Sequence, residues 1–425
     1  MGSNDEVWWD EDDLIRVLAP SEQRFVRHGT YTGRSVTVRG VLDPAALRDA
    51  FGLLGYAYPV LCCRIGEDVV GQGYLLRPDE RASPLASVRD GDPTAIEIPA
   101  VRPAAQLAYL DIVGAGDHWR VTLFVHHSIA DAAHCVELLA RLWEYYTDIV
   151  DGLPAAVTPQ ELPRSLEWYV AACGIAKATV SGFEEVTKAL APAPKEAPRD
   201  SARPAPSALA RPRRLRLDTA ATARIVELGH MLGVTVNGLL TAALLRAYAN
   251  ETAGGALALG CLYPVDLRRR LPLPVATAAG TNMVGAASFA AQVDPAASLL
   301  ELAQRISARL DHDLSEGIVH QSVLHFPDFY GGHRKYSLAG HIAVTNTGVV
   351  PTLRTPTGLM LTDYEIVYLS AHPRPSTGAS AAVTFLVYTF ARELTIGVLG
   401  AGADADNLLD AVRTELTALS TVRTG

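Results

Sequence analysis

Nowhere do about 18 apolar residues run together, so no transmembrane helix is expected. A secretory leader is not expected either. The N-terminal residues are acidic and carry Trp8 and Trp9, where a leader has a basic segment followed by an apolar one. Cysteine is scarce. Cys62, Cys63, Cys135, Cys173 and Cys261 are an odd set with no C-x-x-C pair, which reads as reduced, buried thiols of a cytoplasmic protein. Positive charge is not in excess: 37 basic residues face 46 acidic ones, a formal net charge of -9, which argues against non-specific nucleic-acid binding. The densest basic run, Arg211, Arg213, Arg214 and Arg216, reads as a solvated boundary. The alternative is a local patch for an acidic ligand, such as a nucleotide-bearing thioester or a carrier protein.

What is present suits a folded chain. Hydrophobic residues make up 49% and charged residues 20% of 425, enough for a sizeable core and for two lobes. Residues 190–213, rich in Pro and Ala, read as an extended crossover between an N-terminal lobe, 1–189, and a C-terminal lobe, 214–425. In the first lobe, alternation predicts strands over 35–41, 60–65, 107–113 and 119–125. Asp43-Pro44 opens a helix, with Asp as cap and Pro at the first helical position. Residues 163–180 read as helical. In the second lobe Asp218 caps a helix that Gly233 ends, a second helix follows, and strands and helices then mix without strict β-α alternation. An α+β class is therefore expected.

The most informative run is Val121 to His134, V-T-L-F-V-H-H-S-I-A-D-A-A-H. An apolar strand stops at His126 and His127, and Asp131 begins a long helical pattern. Strand alternation sends the two histidines to opposite faces. A neutral histidine, with an ordinary pKa near 6.5, is a good general base at neutral pH. The same residues permit a plainer reading, with Asp131 as a helix cap and the histidines as a satisfied strand end. They also permit a metal reading, because His127, Asp131 and His134 are spaced i, i+4 and i+7. That spacing loses its meaning if His127 precedes the helix.

The run His126-His127-Ser128-Ile129-Ala130-Asp131 resembles the H-H-x-x-x-D motif of the chloramphenicol acetyltransferase-like acyltransferases. That superfamily includes nonribosomal-peptide condensation domains, plant BAHD acyltransferases and the Pap-type (polyketide-associated) enzymes. Other segments resemble the family's in order: Pro20-Ser21-Glu22-Gln23-Arg24, with Glu22 in place of the usual Ala; Leu142 to Asp148; G-V-T-V-N-G-L-L-T-A-A from Gly233; Pro264 to Arg268; Gly280 to Gly285; and Val344 to Gly348. One departure is Ala132, where relatives usually have Gly.

The resemblance implies two similar lobes in a V-shaped pseudo-dimer, with a tunnel at their interface. It implies His127 as the general base, His126 as a scaffolding residue, and Asp131 as a structural acid salt-bridged to the second lobe. Arg268 is the expected partner by position. Asn282, Thr345 and Asn346 match segments that line the site in relatives. The expected activity is transfer of an acyl group from a CoA or acyl-carrier-protein thioester to an alcohol or amine acceptor in secondary metabolism. No metal and no further cofactor are implied, and a monomer is expected to suffice. The alternatives are a non-catalytic acyl-carrier binding or scaffold protein on the same fold, or a condensation-fold enzyme of altered chemistry, such as a cyclase or dehydratase.

Overall fold

Two six-stranded sheets organise the chain, each facing its own hydrophobic core. The computed structural model describes residues 8–79, 85–96, 100–189, 207–330, 334–338, 340–373 and 381–420. In the first sheet the strand order is Leu85–Asp90, Ala108–Ala115, His118–His126, Thr30–Arg39, Met360–Ser370, Ala208–Ala210. All neighbours in it are antiparallel except the first pair. In the second the order is Arg213–Arg216, Glu393–Leu399, Val383–Phe390, Ile342–Val349, Leu257–Asp266, Val284–Val293. Strands and helices mix as an α+β fold.

Local chemistry sets the elements that carry the site. Gly116, at φ +63°, lets Ala108–Ala115 turn tightly into His118–His126, with Ala115 opposite His118. Asp43 accepts hydrogen bonds from the Ala45 and Ala46 N–H groups, and Pro44 opens the helix Pro44–Ala57. That helix packs beside Ala132–Val150. Together they bury Leu47, Phe51, Leu138, Leu139 and Leu142 with Val121, Leu123 and Val125 of the sheet. On the opposite face Tyr31, Phe124, Val367 and Leu369 form a smaller cluster.

The lobes are stitched together rather than strung in sequence. Met360–Ser370, in the half of the sequence read as the second lobe, lies along Thr30–Arg39 from Met360–Arg39 to Ser370–Thr30. Residues 190–206 of the crossover lie outside the described residues. The following stretch adds Ala208–Ala210 to the first sheet and Arg213–Arg216 to the second, so it passes from one to the other. The arginine run at this crossing is ion-paired internally. Arg211 meets Glu365, Arg214 meets Asp363, Arg216 meets Asp363 and Glu393, and Arg213 meets Asp406. A boundary neutralised by its own carboxylates accounts for the run.

Two local expectations are corrected. Pro59–Cys62 is a 3-10 turn and the strand is Arg64–Glu67, since Pro59 has no N–H for a ladder. The helix expected over 163–180 is only Leu166–Ala172, ended by Gly174 at φ +71°.

Candidate active site

The strand His118–His126 ends opposite Tyr31, and the chain turns sharply through His127 to Ala130 before the helix Ala132–Val150. Backbone bonds hold this turn on the sheet. The His126 N–H donates to Leu107 O at 2.8 Å and the His127 N–H to Thr30 O at 2.7 Å.

His126 is fully buried, edge-on to Tyr31 with ring centroids 5.0 Å apart. The Ser128 N–H donates to its Nδ1 at 3.3 Å. Burial, with help from His127, pushes its pKa down to about 3. A neutral ring accepting at Nδ1 is a packing element.

His127 is held differently. Its Nδ1 lies 2.9 Å from Ala130 O. A carbonyl only accepts, so Nδ1 carries the hydrogen and the Nε2 lone pair is left free. Phe25 stacks on the ring at 4.1 Å, and Tyr368 stands on it at 6.1 Å. Burial pushes the His127 pKa down to about 4, opposed by the Ala130 bond and aided by the charges of Arg24 and Arg34. The ring nevertheless keeps some accessible surface. Phe25 and Tyr368 thus flank a side chain that is only partly covered.

Asp131 is buried and performs two tasks. Its Oδ1 accepts from the His134 N–H at 3.1 Å, the N-cap bond of the helix. Its Oδ2 receives Arg268 Nη1 at 2.6 Å and the Met283 N–H at 2.8 Å. Burial pushes the carboxyl up, but Arg268 and these N–H groups outweigh it and hold its pKa below the ordinary range. Arg268 also contacts Asp266 at 3.2 Å. His127 precedes the helix that Asp131 caps, so the i, i+4, i+7 spacing does not place His127, Asp131 and His134 on one helical face.

Asn282 is buried between the lobes, giving Nδ2–H to His127 O at 3.1 Å and accepting from Arg24 Nη2 at 3.1 Å. Thr345 and Asn346 lie on Ile342–Val349 in the second sheet. Asn346 contacts Asn237 and Gly348, and neither residue touches His127 among the described contacts.

Sequence reasoning noticed Glu22 only as a departure. The structure makes it a junction. Fully buried, it accepts from Arg16 at 2.6 and 2.7 Å, from Ala19 N–H at 2.8 Å and from Thr281 Oγ1 at 2.7 Å. Its carbonyl accepts from Ser128 Oγ at 2.7 Å. One residue thus ties the N-terminal segment to the histidine turn and to the second lobe. An acidic residue replacing Ala six positions after Arg16 was the only available signal.

Comparison with known proteins now adds to this geometry. Over 412 residues the chain is 31% identical to the phthiocerol/phthiodiolone dimycocerosyl transferase of Mycobacterium tuberculosis, covering 95% of this chain and 96% of that one. The chain belongs to the phthiocerol/phthiodiolone dimycocerosyl transferase family. Residues 206–399 match the signature of that family's C-terminus. The solved structure of polyketide synthase associated protein 5 from Mycobacterium tuberculosis superposes with a TM-score of 0.80 at 29% identity, over 96% of this chain and 99% of that one. The first condensation domain of the CDA synthetase superposes with a TM-score of 0.61 at 18% identity, over 96% of each chain, and shares the fold. This is therefore a Pap-type acyltransferase on the chloramphenicol acetyltransferase-like fold.

Proposed function

We propose that this member of the family moves an acyl group from a thioester to an alcohol or amine acceptor, with His127 as general base. The observation that carries the reading is the fixed tautomer of His127. Nδ1 is committed to Ala130 O and the ring is neutral, so Nε2 holds a lone pair at neutral pH.

The acceptor's O–H or N–H proton passes to Nε2 as its heteroatom attacks the thioester carbonyl. The tetrahedral oxyanion collapses, the C–S bond breaks, and the departing thiolate recovers the proton from Nε2. No acyl-enzyme and no metal are needed. His126 and the Asp131–Arg268 pair position the turn and do not touch the reacting atoms. The donor is an acyl-CoA or an acyl carrier protein. By analogy with the names of the relatives, the product is a polyketide-derived ester, made in the cytoplasm. General-base catalysis supplies on the order of 10²–10⁴-fold, and positioning must supply much of the remainder.

The test is thiol release from a panel of acyl-CoA and acyl-pantetheine thioesters, with and without alcohols and amines. Release that requires both an acceptor and His127 supports the reading. Thioester binding without release, in the presence of every acceptor, would instead point to a carrier-binding protein.

A further inference from the structure

The sheet face that leads to His127 carries a buried guanidinium that has no salt bridge among the described residues. Thr32, Arg34 and Val36 alternate along Thr30–Arg39, and opposite them on Met360–Ser370 stand Tyr368, Ile366 and Tyr364. Arg34 is only 2% exposed. Its Nη1 donates to Thr32 Oγ1 at 2.6 Å, folding the guanidinium back along the strand towards the histidine turn. Among the described residues its Nε has no hydrogen-bond partner, and neither has the buried hydroxyl of Tyr364. Groups within electrostatic reach of the guanidinium include Tyr364, Cys135, Tyr368 and Asp131. Asp131 is already committed to Arg268, Met283 and His134. By contrast, Arg16, Arg120 and Arg268 each rest on a carboxylate, Glu22, Asp111 and Asp131 respectively.

A buried arginine without a carboxylate is costly, and so is a buried hydroxyl without a partner. Here both occur on one face, and among the described residues no carboxylate forms an ion pair with Arg34. Thr32 is two residues from Thr30, whose carbonyl holds the His127 backbone, and the Arg34 charge reaches the His127 ring. Tyr368 and His127, which flank this path, both keep accessible surface.

Building on the acyltransfer reading, we propose that Arg34, with Tyr364 and Tyr368, forms a subsite for a substrate carboxylate. That carboxylate lies a few bonds from the reacting carbonyl or hydroxyl. It belongs either to a dicarboxylic acyl thioester or to a hydroxy-acid acceptor. Arg34 then sets specificity for a charged substrate beside the aromatic groups Phe25 and Tyr368 that flank His127.

The experiment compares matched probes by calorimetric binding and by thiol release. Donors are glutaryl-CoA against valeryl-CoA, and acceptors are hydroxybutyrate against butanol. The CoA phosphates are common to both donors and cancel. Wild type is expected to prefer the carboxylated member of one pair by about tenfold or more, the factor a charge-assisted hydrogen bond commands. The pair showing the preference identifies the source of the carboxylate. Arg34→Met abolishes the preference, read as the ratio of charged to neutral probe in binding, and Arg34→Lys retains part of it. Tyr364→Phe, which removes only a hydroxyl, weakens it and guards against misfolding of the Arg34 variants. Equal binding of charged and neutral probes by wild type overturns the proposal. So does an Arg34→Met loss that is the same for neutral probes, which would mark a transition-state role. Binding needs no turnover. A preference that persists in His127→Ala therefore stands even if the general-base reading fails.

Discussion

Arg268 Nη1 lies 2.6 Å from Asp131 Oδ2, a buried pair joining residues 137 apart in sequence and one lobe to the other. The same carboxylate caps the helix that follows the histidine turn. The plain reading of Asp131 as a cap and the reading as a salt-bridged acid are therefore both true, through different oxygens.

This bifunctional carboxylate makes a strong prediction. Asp131→Ala leaves Arg268 buried beside only Asp266 and removes the cap, so it should cost roughly 3–5 kcal/mol of stability. Chemical denaturation measures it. Replacing Arg268 and Asp131 together should cost less than the sum of the single changes, which a double-mutant cycle reads. Additive losses would mean that the pair is not a coupled unit.

His127→Ala should lower thiol release about 10²–10⁴-fold while leaving the melting temperature near that of wild type. The ring bonds only through Nδ1, and its backbone anchors do not depend on the side chain. A variant turning over within a few fold of wild type would remove His127 as the base.

The depressed pKa of His127, about 4, sets the acid limb of kcat/KM. The base works unprotonated, so activity should stay flat as pH falls from neutral and drop only below about pH 5. An acid limb near the ordinary histidine pKa of 6.5 would contradict a ring held neutral by burial and by the charges of Arg24 and Arg34.

Stability should fall before that limb is reached. His126 and His134 are fully buried and held neutral, at about 3 and about 4, against 6.5 when the chain is unfolded. Their folded values lie below the unfolded one, so the unfolded chain binds more protons in between. Their contribution is complete above pH 6.5 and is lost as pH falls below it. Each histidine contributes a slope approaching about 1.4 kcal/mol per pH unit in that window. Urea midpoints measured from pH 7 to pH 5 check this.

Glu22→Ala should destabilise by roughly 3–5 kcal/mol, because it strands Arg16 and frees Thr281. Glu22→Gln keeps an acceptor for Thr281 and should cost less. Limited proteolysis of the N-terminal segment should follow the same order. Equal loss in both variants would mean that charge, not hydrogen bonding, dominates at this junction.

Local grammar was enough to place the strand, the turn and the helix around His126 to Asp131, the cap at Asp43 and the stop at Gly233. Each rests on neighbouring residues, through alternation, capping oxygens or a left-handed glycine. Resemblance of ordered segments named Arg268 as the partner of Asp131, and the structure brings the two together. The same resemblance grouped Thr345 and Asn346 with the site, and they lie on Ile342–Val349 of the second sheet.

Tertiary structure alone decided the rest. That Met360–Ser370 crosses to the first sheet follows from pairing over hundreds of residues, which no periodicity records. Glu22 as a junction, and the tautomer that frees Nε2 of His127, depend on which backbone carbonyl or hydroxyl arrives nearby once the lobes close. So does the isolation of Arg34. In sequence it is one arginine in a strand. Only the packed sheet shows that, among the described residues, no carboxylate forms an ion pair with it.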